Sequence, residues 1–168
     1  MFRAVKDFLD TWENETSSTL KIFNNLTNDS LGHRGFDEGR TIGGLAWHIT
    51  VTVGEMFAKT GFEINAPDEN SEPPADISTI VSTYENLHKD IASKIQTSWT
   101  DEMLGEELDM YGEKWKRGFM LSGFLYHEAH HRGQLTVLMR LAGLKVTGPY
   151  GPSKEEWVTY GMEAPVAY

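Results

Sequence analysis

The segment His127-Glu128-Ala129-His130-His131-Arg132-Gly133-Gln134 concentrates the chemistry of this chain. His127 and His131 are four residues apart, so on a helix they lie on one face, one turn apart. Met120, Phe124, Leu135 and Leu138 share that stripe, which puts two imidazoles on an apolar face. His48, in Leu45-Ala46-Trp47-His48-Ile49, is a third imidazole with apolar neighbours. A buried imidazole without a partner costs on the order of a few kcal/mol, and one divalent ion would satisfy all three. Three neutral imidazoles around an ion leave positions open for water or substrate, which is how catalytic zinc sites are built. The competing expectation is three core histidines hydrogen-bonded to carbonyls or to one another.

The remaining polar residues sort by position. His130 lies about 60° from His127 around a helix, so it competes with His131 for a ligand role, but the i,i+4 pair stacks more directly along one face. His33 falls in a polar loop, where a solvated side chain is expected, and His88 beside an apolar stripe, where a boundary residue is expected. Glu55, seven residues after His48, is a candidate to fix an imidazole tautomer or a solvated surface acid. Glu128 points about 100° away from His127, which suits a salt bridge at the surface or an interface. Arg132 and Gln134 are expected to tie the last helix to its neighbours. His127-Glu128-Ala129-His130-His131 also matches H-E-x-x-H, the zincin signature, with Glu128 as general base and Glu155 or Glu156 as a third ligand. Against this, Gly143 and the turns at Pro149 and Pro152 intervene before either acid, and no strand-rich first half is visible.

Composition narrows the classes. A length of 168 residues suits one domain spanning 1–168 with one sizeable core. The formal net charge of −10 opposes both nucleic-acid backbones and anionic lipid. With no cysteine, disulfides, thiolate nucleophiles and Cys-ligated metal are excluded. Met1 to Asp7 is broken by charges, and no run approaches the ~20 apolar residues of a membrane span, so a cytoplasmic location is expected.

Periodicity supplies the elements that must position the histidines. Phe2, Val5, Leu9, Trp12, Thr16, Leu20, Phe23 and Leu26 recur at steps of three and four, predicting an amphipathic helix over 2–27. Thr41 caps a second helix reaching about Phe62. The segment Ala66 to Ala75, with three prolines, is a loop. Asp76 caps a third helix whose stripe is Ile77, Ile80, Tyr84, Leu87, Ile91 and Ile95. Leu108 to Trp115 alternates around Gly112 and predicts a short hairpin. A fourth helix spans about Phe119 to Ala142 and stops at Gly143. Beyond Gly148 the chain is turn-rich, with one helical turn at most. Four amphipathic helices with irregular connections define an all-α four-helix bundle.

Taken together, Leu45-Ala46-Trp47-His48, His127-x-x-x-His131-Arg132-Gly133-Gln134 and Pro149-Tyr150-Gly151-Pro152 with Trp157 resemble the DinB (damage-inducible) family of bacterial proteins, in order and over nearly the whole chain. The resemblance implies an up-down-down-up bundle with a long crossover, assembled as a homodimer. It maps the family's metal ligands onto His48, His127 and His131, with zinc or nickel as the ion, and makes His130 a neighbour. It further implies a metal-dependent enzyme acting on a small-molecule substrate. On the same resemblance, a low-molecular-weight thiol is expected to bind the ion, for thiol-dependent S-transfer. The alternatives are a metal-dependent hydrolase and a non-catalytic metal-binding module.

Overall fold

The computed structural model describes residues 1–166; the last two residues of the expected 1–168 domain lie outside the described residues. Four helices carry the fold: α1 (Val5–Phe23), α2 (Ile42–Ala58), α3 (Ile77–Ser98) and α4 (Arg117–Leu141). A two-stranded antiparallel hairpin, β1 (Glu107–Met110) with β2 (Glu113–Lys116), precedes α4. Short 3-10 turns occupy Asn28–Ser30, Glu102–Gly105 and Trp157–Tyr160.

The helix starts follow from their caps. The Thr41 side chain accepts the Gly44 amide at 2.9 Å, and Asp76 accepts the Ser78 amide at 3.1 Å. Each satisfies one of the amides that a helix N-terminus leaves unpaired. α1 begins at Val5 rather than at the predicted residue 2 because its cap comes from far away: the Val5 amide donates to Asp101 at 2.7 Å. α2 stops at Ala58, short of the predicted Phe62, in a turn where the Thr60 and Gly61 amides reach back to Phe57 and Ala58.

Side-chain contacts fix the directions. Val5 meets Asp101, Trp12 donates to the His88 carbonyl, and Phe23 packs on Tyr84, so α1 and α3 are antiparallel. Phe57 packs on Phe124 and His48 meets His131, so α2 and α4 are antiparallel. Phe2 reaches Gly118, Trp12 stacks on Phe124 and Thr19 reaches Glu128, so α1 and α4 run parallel. The bundle is therefore up-down-down-up, with the helices arranged α1-α3-α2-α4 around its axis. The α2-to-α3 connection passes closely over α2 at Gly54, where an added Cβ would lie 2.3 Å from the Ala66 Cβ.

The core has two apolar compartments. One gathers Phe8, Trp12, Phe57, Ile91, Met120 and Phe124; the other gathers Ile22, Phe23, Ile42, Ile80, Leu135 and Met139. Between them lies a polar layer. Glu128, 2% exposed, accepts hydrogen bonds from Thr19 Oγ1 (2.6 Å) and from the Tyr84 hydroxyl, with His88 Nε2 3.6 Å away. Arg132, 1% exposed, bonds Thr19 at 2.8 Å and pairs with Glu15 and Tyr150. This corrects the expectation of a surface or interface role for Glu128 and of a boundary role for His88, which is also buried. His33 is half-buried, with its Nε2 without a hydrogen-bond partner, rather than solvated. Arg132 does tie α4 to a neighbour, α1. Among the described residues, no helix is long and apolar enough to cross a membrane.

Candidate metal centre

The buried side of α4 is the row Leu121, Phe124, Glu128, Arg132, Leu135 and Met139. His127 and His131 sit on the flank of that row, half-buried, facing α2. His48 projects from the middle of α2 to meet them. The three Nε2 atoms converge: His48 to His131 at 3.2 Å and His131 to His127 at 3.1 Å. Their ligand atoms all lie within 4.8 Å of one another. Two imidazole nitrogens bound tetrahedrally to zinc at its usual bond length stand about 3.3 Å apart, so the spacing fits one ion. The fold thus brings together the three histidines that the sequence pointed to, His48 and His131 across 83 positions of chain.

Two further features suit these nitrogens to a cation. His131 Nδ1 lies 2.7 Å from Gln134 Oε1. An amide oxygen only accepts, so Nδ1 carries the proton and Nε2 presents its lone pair toward the cluster. Gln134 is itself held by its Nε2, which donates to His130 Nε2 at 3.1 Å. Gln134 was expected to tie helices together; instead it orients an imidazole, and His130 orients Gln134. All three cluster histidines are also held neutral. Burial, followed by the Arg40 charge and the other two imidazoles, pushes His48 down to about 4. Burial lowers His127 and His131 as well, and in His131 it outweighs the opposing effect of the Gln134 bond.

His48 and His127 open onto a cavity of about 600 Å³. Its wall includes Arg40, Glu55, Met56, Glu69, Asn70, Tyr111 and Trp115, drawn from α2, the crossover and the hairpin. Glu55 does not bond His48. It accepts the Tyr111 hydroxyl at 2.8 Å and pairs with Lys59 at 3.0 Å. Tyr111 is the hairpin's first turn residue, at φ +58, with Gly112 following at φ +86. This is the twist that two-residue hairpins favour, and it is uncommon for a bulky residue. Tyr111 was not singled out in the sequence, and Gln134 was given only a helix-tying role; the aromatic beside Gly112 in the turn, and the i+3 spacing from His131, were the available signals.

The zincin arrangement is absent. Glu155 pairs with Arg140, and Glu156 accepts the Gly148 and Ser153 amides at 2.8 and 2.7 Å. Glu128, the would-be general base, is buried in the polar layer behind the histidines.

Bundle, crossover and cluster together define a helical protein with a three-histidine centre beside an open cavity. The sequence profile of the DinB family matches residues 1–163, and the chain belongs to that family. It is similar to the protein YrdA of Bacillus subtilis (strain 168), at 38% identity over 165 residues, covering 98% of this chain and 99% of that one. Its structure is similar to the crystal structure of a DinB-like protein from Bacillus cereus ATCC 10987, with a TM-score of 0.85 and 33% identity over 88% of this chain and 99% of that one. The fold is also that of a DinB-like protein, YjoA, from Bacillus subtilis, with a TM-score of 0.63 and 24% identity over 82% and 92% of the two chains.

Proposed function

We propose that this protein is a metal-dependent enzyme in which His48, His127 and His131 hold one zinc or nickel ion, and that it transfers a small thiol to an electrophilic substrate. The observation that carries this reading is the convergence of three neutral Nε2 atoms at the edge of an open cavity. Closed sites with four protein ligands serve structure, whereas three protein ligands beside open space serve chemistry, which favours catalysis over a non-catalytic metal-binding module. When bound, the ion supplies Lewis acidity, lowering the pKa of a thiol or water so that a nucleophile forms near neutral pH. The chain's part is to hold three lone pairs on two rigid helices, with the Gln134 bond fixing the His131 tautomer. The cavity wall then receives the substrate.

Because the chain has no cysteine, any thiol must be a co-substrate. Hydrolysis is the alternative use of the same centre. We place the protein in the cytoplasm as a homodimer, which light scattering would test by a mass of twice 19.0 kDa.

Metal content by mass spectrometry, on untagged wild type and His131→Ala, tests the centre. About one equivalent of zinc or nickel in the wild type and none in the variant is expected. No metal in either, after zinc is added back, would leave three core histidines and remove the enzyme reading.

A further inference from the structure

The cavity is unusual in its charge. Arg40 lies just before the first turn of α2, in one wall with His48 and His127. Its side chain makes no hydrogen bond or ion pair with another described residue. The helix terminus beside it cannot take an anion in its place, because its amides are consumed: Ile42 donates to His33, Gly43 to Leu31, and Gly44 to Thr41. Of the two acids in the wall, Glu55 is occupied by Lys59 and Tyr111. Glu69, on the exposed crossover, lies toward Tyr111, whose hydroxyl its charge pushes up together with burial and Glu55.

Histidine binds a metal as a neutral imidazole, so a divalent ion held by three of them would keep both its charges. With that ion bound and Arg40 added, the cavity would carry an excess of positive charge that Glu69 only partly offsets, within a chain of net charge −10. A cation and a dication lining one cavity repel, and an anion between them relieves that repulsion. Guanidinium is the side chain best matched to carboxylate, through two parallel hydrogen bonds.

We infer that the cavity takes a carboxylate-bearing small molecule, its carboxylate paired with Arg40 while a second donor of the same molecule reaches the open side of the three-histidine centre. This subsite rests on the metal-centre reading above, and it makes Arg40 a specificity-determining residue.

The test is calorimetric titration with 3-mercaptopropionate and with its neutral isostere 3-mercaptopropanamide. Zinc-loaded and metal-free forms of the wild type, Arg40→Met and Arg40→Lys are compared, with zinc content measured on the same samples. The zinc-loaded wild type should bind the acid about tenfold or more tightly than the amide, the scale of a charged hydrogen bond. Arg40→Met should bring that ratio near one, and Arg40→Lys should keep part of it. Equal affinity for the two probes in the zinc-loaded wild type, binding of neither, or a preference unchanged in Arg40→Met overturns the subsite. Failure to take up zinc overturns the metal centre separately. In that case only the pairing of a carboxylate with Arg40 stands, if the metal-free wild type prefers the acid and Arg40→Met abolishes the preference, and it falls if not.

Discussion

His131 illustrates how much a single neighbour decides. Its Nδ1–H is committed to Gln134, so Gln134→Leu should free the ring to choose the other tautomer and weaken zinc affinity by about 10–100-fold. Gln134→Glu, which still accepts, should retain affinity; competition against a chromogenic chelator measures both. His48 sets a pH dependence. Its folded value, about 4, lies below the ordinary 6.5, so between these limits the unfolded chain binds a proton that the folded chain does not. Stability of the metal-free protein should therefore rise with pH across that window and fall as acid is added. Urea midpoints at pH 4.5 and 7.5 should differ less for His48→Gln than for the wild type; parallel shifts would contradict this account. The three clustered histidines were legible in the sequence because i,i+4 spacing and an apolar setting are local signals. Glu128 was not. Its position relative to His127 gave the correct angle, but which face turns inward is settled by the neighbouring helices. Here Glu128 and Arg132 occupy the centre of the buried row, with the histidines on its flank.

At the scale of elements, the crossover is clamped by contact with α2. Gly54 admits Ala66 at a distance that no Cβ could tolerate. Gly54→Ala should cost about 1–3 kcal/mol through overpacking, read from urea unfolding, and Ala66→Gly in the same chain should recover most of it. Failure of that rescue would place the constraint elsewhere. The hairpin was legible from alternation around Gly112, and the α2 and α3 starts from Thr41 and Asp76. The start of α1 was not legible, because its cap, Asp101, is 96 residues away. The early end of α2 was also missed, since apolar periodicity runs on into Phe62 while Gly61, at φ +89, already turns the chain.

Across the whole molecule, two apolar compartments meet at a layer where Thr19, Tyr84, His88, Glu128 and Arg132 join α1, α3 and α4. Burial alone would raise the Glu128 pKa, but the adjacent His88 and the bonds donated by Thr19 and Tyr84 outweigh that and hold it below the usual value. Glu128→Ala would strand Arg132's neighbours and the Tyr84 hydroxyl, with an expected loss of about 3–5 kcal/mol in chemical denaturation. A loss under about 1 kcal/mol would show the layer to be dispensable. The net charge of −10 predicts no retention of duplex DNA in a mobility-shift assay at physiological salt. The cavity itself is assembled from parts of unequal rigidity. The histidines stand on α2 and α4, locked into the bundle, whereas Glu69, Asn70 and Tyr111 come from a connecting loop and a hairpin turn at its rim. Inheritance can therefore act on the two separately. Drift in the loop and turn can exchange one substrate for another while the histidine-bearing scaffold passes unchanged from ancestor to descendant, and a laboratory library confined to the exposed Glu69, Asn70 and Tyr111 would sample new selectivities at little cost to folding.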